Sequence, residues 1–375
     1  MKIVADKNIP YLKGIAEIFG DVTYISGSDM SQNTLKEADT IIVRTVTYLD
    51  KDVLENTNVK LICTATIGFD HIDTVYCAEN GIRWYNAPGC NSGSVMQYIV
   101  SSLFVIAEKK GINLKEKTIG IVGVGNVGKK VARACSLLGM RVLLNDPPRQ
   151  ETEQSNEFVD IETIKKEADI ITFHTPLTKE GRYKTLHLAD DDFFNTLTKK
   201  PIIINSARGG IIDTNAIKHA IKAEKISGAI IDCWEKEPNI DTEYMHMVDI
   251  ATPHIAGYSA DGKANATRIS LENLAHFWNL PTKGIDKVTP PEIDNSSIDL
   301  RGVAPVEQVS YAALKTYNPL ADQTKLLANP SAFSTLRGEY PIRREYNAYT
   351  LENADKTSEN VLSELGFKNV RLNKE

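Results

Sequence analysis

The sequence predicts an α/β chain of two doubly wound parallel-sheet domains followed by a small C-terminal α+β unit. Three observations carry this. Short apolar runs alternate with helical patterns as far as about residue 256, as in parallel sheets covered by crossover helices. Residues 118–146 read as strand, glycine turn, helix and strand. The composition then changes at Leu280-Pro281, where a polar, proline-rich stretch leads to a last group of helical patterns.

Residues 1–92 form the first domain. Lys2–Ala5, Val22–Ile25, Thr40–Val43 and Lys60–Thr64 are strand-like, with helical stretches between them. The loops after three of them are polar: DKNIP from Asp6, RTVT from Arg44 and ATIGFD from Ala65. Ligands of open parallel sheets bind off the carboxyl ends of the strands, so these loops should line one cleft. A long apolar helix from Ser92 to Lys110, stopped by Gly111, leads into the second domain.

The second domain, 93–256, opens with the run Ile119–Val122, followed by G-x-G-x-x-G as Gly123, Gly125 and Gly128. Val127, Val131, Ala134, Leu137 and Leu138 recur at spacings of three and four, and Gly139 ends that helix. Val142–Leu144 is the next strand, and Asp146 lies eighteen residues after Gly128. Gly123 permits the tight turn, Gly125 lets backbone approach a pyrophosphate, and Gly128 lets helix pack on strand. The amides around Asn126 and Val127, at the positive end of the helix, hold phosphate charge. Asp146 suits a ribose hydroxyl and repels a 2′-phosphate, which favours NAD over NADP, although Arg149 blunts that preference. Further strands are expected at Ile170–His174, Ile202–Asn205, Ala229–Asp232 and Asp249–Ala251, then a helix from Thr267 to Trp278. The C-terminal unit, 281–375, begins with an extended segment to Arg301. Helices follow at Val306–Tyr317, Asn318–Asn329 and Asn353–Gly366. A unit this small is expected to pack against another subunit.

The totals exclude several functions. A net charge of −6 argues against a nucleic-acid surface. No apolar run reaches the ~20 residues of a membrane span, and the N-terminus reads as a strand and not a signal peptide. The five cysteines are scattered without C-x-x-C spacing, which fits buried thiols of a cytoplasmic protein and no disulfide or metal framework. His71 and Asp73 lack partners for a metal site, so none is expected.

Three more stretches begin at predicted strand ends: NSARGGIIDTNAI (205–217), DCWEKEP (232–238) and ATPHIAGYS (251–259). Hydride transfer from a secondary alcohol to NAD needs a base for the hydroxyl proton, and the imidazole of His254 is the side-chain type suited to that task near neutral pH. Glu237 is the candidate to orient its ring. Arg208 offers the planar fork that a substrate carboxylate needs. Each has a plainer reading taken alone: Arg208 as a surface charge, Glu237 as a helix-entry cap, His254 as a loop cap. His174 reads as packing beside the cofactor, Asp213 as a helix cap, and Trp234 and Trp278 as core.

In their order, GVGNVG with Asp146, HTPLT, NSARGGIID, DCWEKEP and TPHIAG resemble the D-isomer-specific 2-hydroxyacid dehydrogenases over residues 1–280. The resemblance implies that Arg208 binds the substrate carboxylate, that His254 is the acid–base and that Glu237 is its partner. It implies that Thr175 and Asp232 contact the nicotinamide half of NAD, with Gly257 beside the cofactor. It makes 93–256 a Rossmann-type NAD domain, and 1–92, completed by 257–280, a flavodoxin-like substrate domain. Within the family, the stretch FSTLRGEYPIRREY (333–346), Tyr258 after TPHIAG, and the hydroxyls of Thr45 and Thr66 resemble one branch. That branch oxidises 4-phospho-D-erythronate in pyridoxine 5′-phosphate synthesis and dimerises through its C-terminal domain. Thr45 replaces a more usual serine and Tyr346 a more usual phenylalanine. The resemblance places Thr45, Thr66 and Tyr258 on the substrate, with Arg44 toward its phosphate or distal hydroxyl. Arg343 and Arg344 read as surface or interface charges. The competing readings are a D-3-phosphoglycerate dehydrogenase and a non-catalytic NAD sensor. The extension lacks a βαββαβ regulatory pattern, and a sensor has no need of Arg208, Glu237 and His254 together.

Overall fold

A computed structural model describes residues 1–373. It divides into two compact units, residues 1–91 with 259–292 and residues 92–258 with 293–375. The final two residues of the expected C-terminal unit lie outside the described residues.

In the first unit β1 (Lys2–Asp6), β2 (Asp21–Ile25), β3 (Thr40–Val43), β4 (Leu61–Thr64) and β5 (Arg83–Tyr85) form a parallel sheet of order β2-β1-β3-β4-β5. The three-residue β5 is too short to show a period in the sequence. Ile3, Leu61 and Cys63 pack against Ala264, Leu271 and Leu274 of the helix Ala260–Phe277. That helix starts seven residues before the expected Thr267. Ser259 caps it by accepting from the Gly262 amide at 2.8 Å, and its small first residues hide the apolar stripe.

The second unit is built on β6 (Thr118–Val122), β7 (Arg141–Asn145), β8 (Ile170–Phe173), β9 (Ile202–Asn205), β10 (Gly228–Ile231) and β11 (Ile250–Ala251). All pair in parallel, in the order β11-β10-β9-β8-β6-β7. The chain leaves β6 toward β7 and returns to β8 on its other side. This reversal opens a crevice at the carboxyl ends of β6 and β8.

The C-terminal segment, expected as a third unit, belongs to this second one. Three short strands, β12 (Ser297–Asp299), β13 (Thr350–Ala354) and β14 (Asn369–Leu372), form its parallel sheet. β12 lies in the stretch expected to be extended, and β13 takes the first residues of the expected last helix. That helix runs Lys356–Leu365, capped by Asp355. The other two run Gln308–Thr316 and Pro319–Ala328. So small a sheet cannot cover its own apolar face. Ile298, Leu351 and Leu362 therefore join one core with Ile99, Leu103 and Val131, and Leu326 and Phe333 join another with Ile171 and Trp234. All five cysteines are buried free thiols. Among the described residues no helix is long and apolar enough to cross a membrane.

Phe333 is 1% exposed within the core that β8 and β10 share. Phe333→Ala is expected to lower the unfolding free energy by about 3–5 kcal/mol, read from urea denaturation, with the loss appearing in the transition of the whole second unit. A loss confined to a separate, earlier transition would show that the segment folds apart.

Candidate active site

The glycine turn joins β6 to the helix Asn126–Leu137. Gly123 has φ +89, and a Cβ there would meet the His174 carbonyl carbon and the Thr175 amide at 2.8 Å. A Cβ on Gly128 would meet the Gly123 carbonyl oxygen at 2.0 Å. A Cβ on Gly125 would meet nothing within 4 Å, so bare backbone faces open space. The helix has no side-chain cap at Gly125, which leaves the amides of Asn126, Val127 and Gly128 for an anion. Asp146 accepts from the Val124 amide at 2.8 Å and caps the next helix through the Arg149 amide at 3.1 Å. Arg149 is turned to Glu153, at 2.7 Å, and to the Val124 carbonyl, at 2.7 Å.

Two buried hydroxyls, Thr175 Oγ1 and Ser206 Oγ, after the ends of β8 and β9, have no hydrogen-bond partner among the described residues, and Thr175 lies against Gly123. Orphaned polar atoms at a strand-end crevice, together with the open glycine turn, fit the polar edge of a dinucleotide. Sequence reasoning gave Ser206 no role. Its only signal was its place within NSARGG, next to a strand end. His174 bonds Thr172 Oγ1 at 3.0 Å, and burial pushes its imidazole down to about 3, so the ring is neutral near pH 7.

Arg208 follows β9. Asn205 pins its loop, giving a hydrogen bond to the Arg208 carbonyl at 3.0 Å and taking one from the Ala207 amide at 3.1 Å. Asp213 caps the helix Thr214–Lys222 through the Ala216 amide at 2.9 Å, as expected.

Glu237 and His254, seventeen residues apart, meet: His254 Nδ1 lies 2.7 Å from Glu237 Oε2. The other carboxylate oxygen accepts from the Trp234 amide at 2.8 Å. Burial pushes the Glu237 carboxyl up. The hydrogen bond and charge of His254, the Trp234 amide and the Arg337 guanidinium outweigh it and hold the group below the usual range. An ionised Glu237 takes Nδ1–H, which leaves Nε2 to accept a proton. Trp234 is core, as expected, with its indole N–H on the Thr252 carbonyl at 2.9 Å.

Asp232 is fully buried at the end of β10. Its Oδ1 accepts from the Thr252 hydroxyl at 2.6 Å and the Ile255 amide at 2.8 Å, and Oδ2 from the Ala256 amide at 2.9 Å. Burial pushes this carboxyl up against the opposing pull of His254 and these donors. Asp232 thus braces the loop that carries His254, Gly257 and Tyr258, a part sequence reasoning did not give it.

Cys233 Sγ, Glu237 and His254 offer ligand atoms within 4.8 Å of one another. Burial and the charges of Asp232 and Glu237 push the Cys233 thiol well up, while Arg208 and Arg337 oppose them. A protonated thiol beside an already paired carboxylate and imidazole is a poor metal cage.

One expectation about an arginine is corrected. Arg343, expected as a surface or interface charge, is 6% exposed and sits among residues of its own chain. Its guanidinium packs over Tyr317, 4.4 Å from the ring centroid, and donates to Ser94 Oγ and the Ala256 carbonyl. A charge run reads the same whether it meets water or aromatic rings, so burial was invisible locally. Arg337, unremarked in the sequence, reaches Glu237 from the C-terminal segment.

In the first unit Thr45 is exposed after β3. Thr66, after β4, bonds Thr64 at 2.7 Å and the Gly68 carbonyl at 3.0 Å. Arg44 is held by the buried Asp6, at 2.8 Å. His71 bonds Thr64 at 3.1 Å and Asp73 caps a helix.

Because its Cβ direction is open, Gly125→Val should stay folded, losing no more than about 1–2 kcal/mol for the poorer N-cap, while weakening NAD binding. Thermal melts and calorimetric titration check both, and unchanged NAD affinity would remove the loop from the cofactor site.

The family model described as "D-isomer specific 2-hydroxyacid dehydrogenase, NAD binding domain" matches residues 101–256. "Domain of unknown function (DUF3410)" matches 290–366. The erythronate-4-phosphate dehydrogenase of Bacteroides thetaiotaomicron is 51% identical over 94% of this chain and 99% of its own. That of Porphyromonas gingivalis is 42% identical over 98% and 100%. Among solved structures, NAD-bound 3-phosphoglycerate dehydrogenase of Entamoeba histolytica superposes with TM-score 0.62 at 28% identity, covering 76% of this chain and 97% of its own. D-lactate dehydrogenase of Aquifex aeolicus, solved with NAD and lactic acid, gives TM-score 0.60 at 25% identity, covering 74% and 96%. The parallel sheets, the glycine turn and this near full-length similarity lead to one assignment: the chain belongs to the erythronate-4-phosphate dehydrogenases, within the NAD-dependent D-isomer-specific 2-hydroxyacid dehydrogenase family.

Proposed function

We propose that the chain oxidises 4-phospho-D-erythronate at C2 to (R)-3-hydroxy-2-oxo-4-phosphooxybutanoate, in pyridoxine 5′-phosphate synthesis. The observation that carries the mechanism is the 2.7 Å contact of His254 with Glu237, in the same unit as the Arg208 loop. The similarity to erythronate-4-phosphate dehydrogenases over 94% of the chain carries the choice of substrate.

Arg208 pairs its fork with the substrate carboxylate and fixes C2. His254 Nε2 takes the C2 hydroxyl proton, and Glu237 steadies the imidazolium through Nδ1–H. Hydride acceptance from C2 is the chemistry that NAD would supply. Gly123, Gly125, Asn126, Val127 and Gly128 would hold its phosphates, and Asp146 its adenosine ribose. Thr175, Asp232 and Gly257 stand at the nicotinamide half. Thr45, Thr66 and Tyr258 contact the rest of the substrate. The protein acts in the cytoplasm as a homodimer joined through its C-terminal segment, where Val306 and Ile342 are 88% and 64% exposed.

His254→Ala should lower kcat by ~10²–10⁴-fold with NAD affinity kept, and Arg208→Lys should raise KM as well as lower kcat. Turnover of 4-phosphoerythronate is compared with 3-phosphoglycerate and D-lactate. Preference for either of the latter, or full activity of the alanine variant, would overturn the proposal. Light scattering should give about twice 41.5 kDa; the monomer mass would sink the dimer.

A further inference from the structure

We infer that Arg337 is a specificity-determining residue that binds the anionic end of the substrate remote from the carboxylate on Arg208. The inference rests on the phosphorylated 2-hydroxy acid proposed above.

The short helix Phe333–Gly338 carries Arg337. Phe333, one turn earlier on the same face, is sunk in the core at 1% exposure and aims that face inward. The guanidinium lies over the Tyr258 ring, 5.5 Å from its centroid, and Tyr258 meets Tyr340 edge-on at 5.9 Å. A cation over an aromatic face is held in place without using its N–H donors.

Those donors are idle. Nη1 stands 3.9 Å from Glu237 Oε2, beyond hydrogen-bonding distance. Both Glu237 oxygens are already engaged, one by His254 at 2.7 Å and the other by the Trp234 amide at 2.8 Å. Nε is buried without a partner, and the guanidinium gives no hydrogen bond to another described residue. The side chain keeps 31% exposure, so its outer nitrogens are open to a ligand. A planar fork with free donors is the geometry that a phosphate accepts.

Charge favours the same reading. Arg208 and Arg337 both act on Cys233, whose Sγ lies within 4.8 Å of the ligand atoms of Glu237 and His254. Once His254 takes the hydroxyl proton, the pair is neutral and the Arg337 charge is left to the bound anion. Arg337 lies within 290–366, outside the stretch 101–256 that matches the NAD-binding family model. The C-terminal segment thus brings a second cation to the reacting centre.

The test compares wild type, Arg337→Met and Arg337→Lys on 4-phosphoerythronate and on unphosphorylated D-erythronate. The ratio of kcat/KM between the two substrates should fall about 10- to 100-fold in the Met variant, the size of one lost charge-assisted contact. The Lys variant should fall between. Equal losses on both substrates would mean that Arg337 acts only through Glu237, and an unchanged ratio would mean that it does not meet the phosphate; either overturns the inference. Calorimetric titration of the NAD complex with inorganic phosphate should show weaker binding in Arg337→Met, and equal binding also overturns it. Wild type that binds phosphate through Arg337 yet turns over no 4-phosphoerythronate would sink the proposed function and leave the anion site standing.

Discussion

Asp232 stands at the end of β10 with no exposed surface, and its oxygens accept from the Thr252 hydroxyl and the Ile255 and Ala256 amides. Burying a carboxylate is costly unless donors surround it, and here the donors come from the segment that carries His254. Satisfying the carboxylate and fixing the loop are therefore one event. From the other side, the Ala256 carbonyl accepts from Ser94 Oγ at 2.8 Å and from Arg343 at 2.5 Å. Gripped at both flanks, His254 is held at φ +56, a region that costs a non-glycine residue about 1–3 kcal/mol. That backbone sets the ring against Glu237.

The C-terminal segment takes part in this grip. Arg343 lies over Tyr317 at 4.4 Å and Tyr340 at 5.8 Å. Both tyrosine hydroxyls are given to Asp322, at 3.0 and 2.8 Å. The two hydroxyls satisfy the carboxylate and the two rings flank the guanidinium, whose Nη2 ends the network on the His254 loop while Nε and Nη1 stay buried without a hydrogen-bond partner among the described residues. The segment shares its apolar cores with the parallel sheet as well, so it is tied to the site by packing and by polar contacts.

Much of the architecture was legible because its causes are local. The apolar runs of β6 and β9 are buried along their whole length, so periodicity alone marked them. The helix Ser92–Lys110 has the bounds expected of it. Asp213 capped its helix because the cap needs only an amide three residues on. β5 and β12 were missed because three-residue strands show no period, and the start of the helix Ala260–Phe277 because its small residues carry no apolar stripe.

By itself, then, the sequence determined the longer strands and helices of the two parallel sheets, the glycine turn, and the kinds of groups available: guanidinium, imidazole and carboxylate at strand ends. Tertiary structure alone decided which of them meet. It turned Asp232 into a brace, sank Arg343 among tyrosines and brought Arg337 to Glu237 from one hundred residues away. The reason is physical. Periodicity, capping and turn chemistry act between residues a few positions apart. The desolvation of a charge depends on every atom packed around it, and those atoms come from distant parts of the chain.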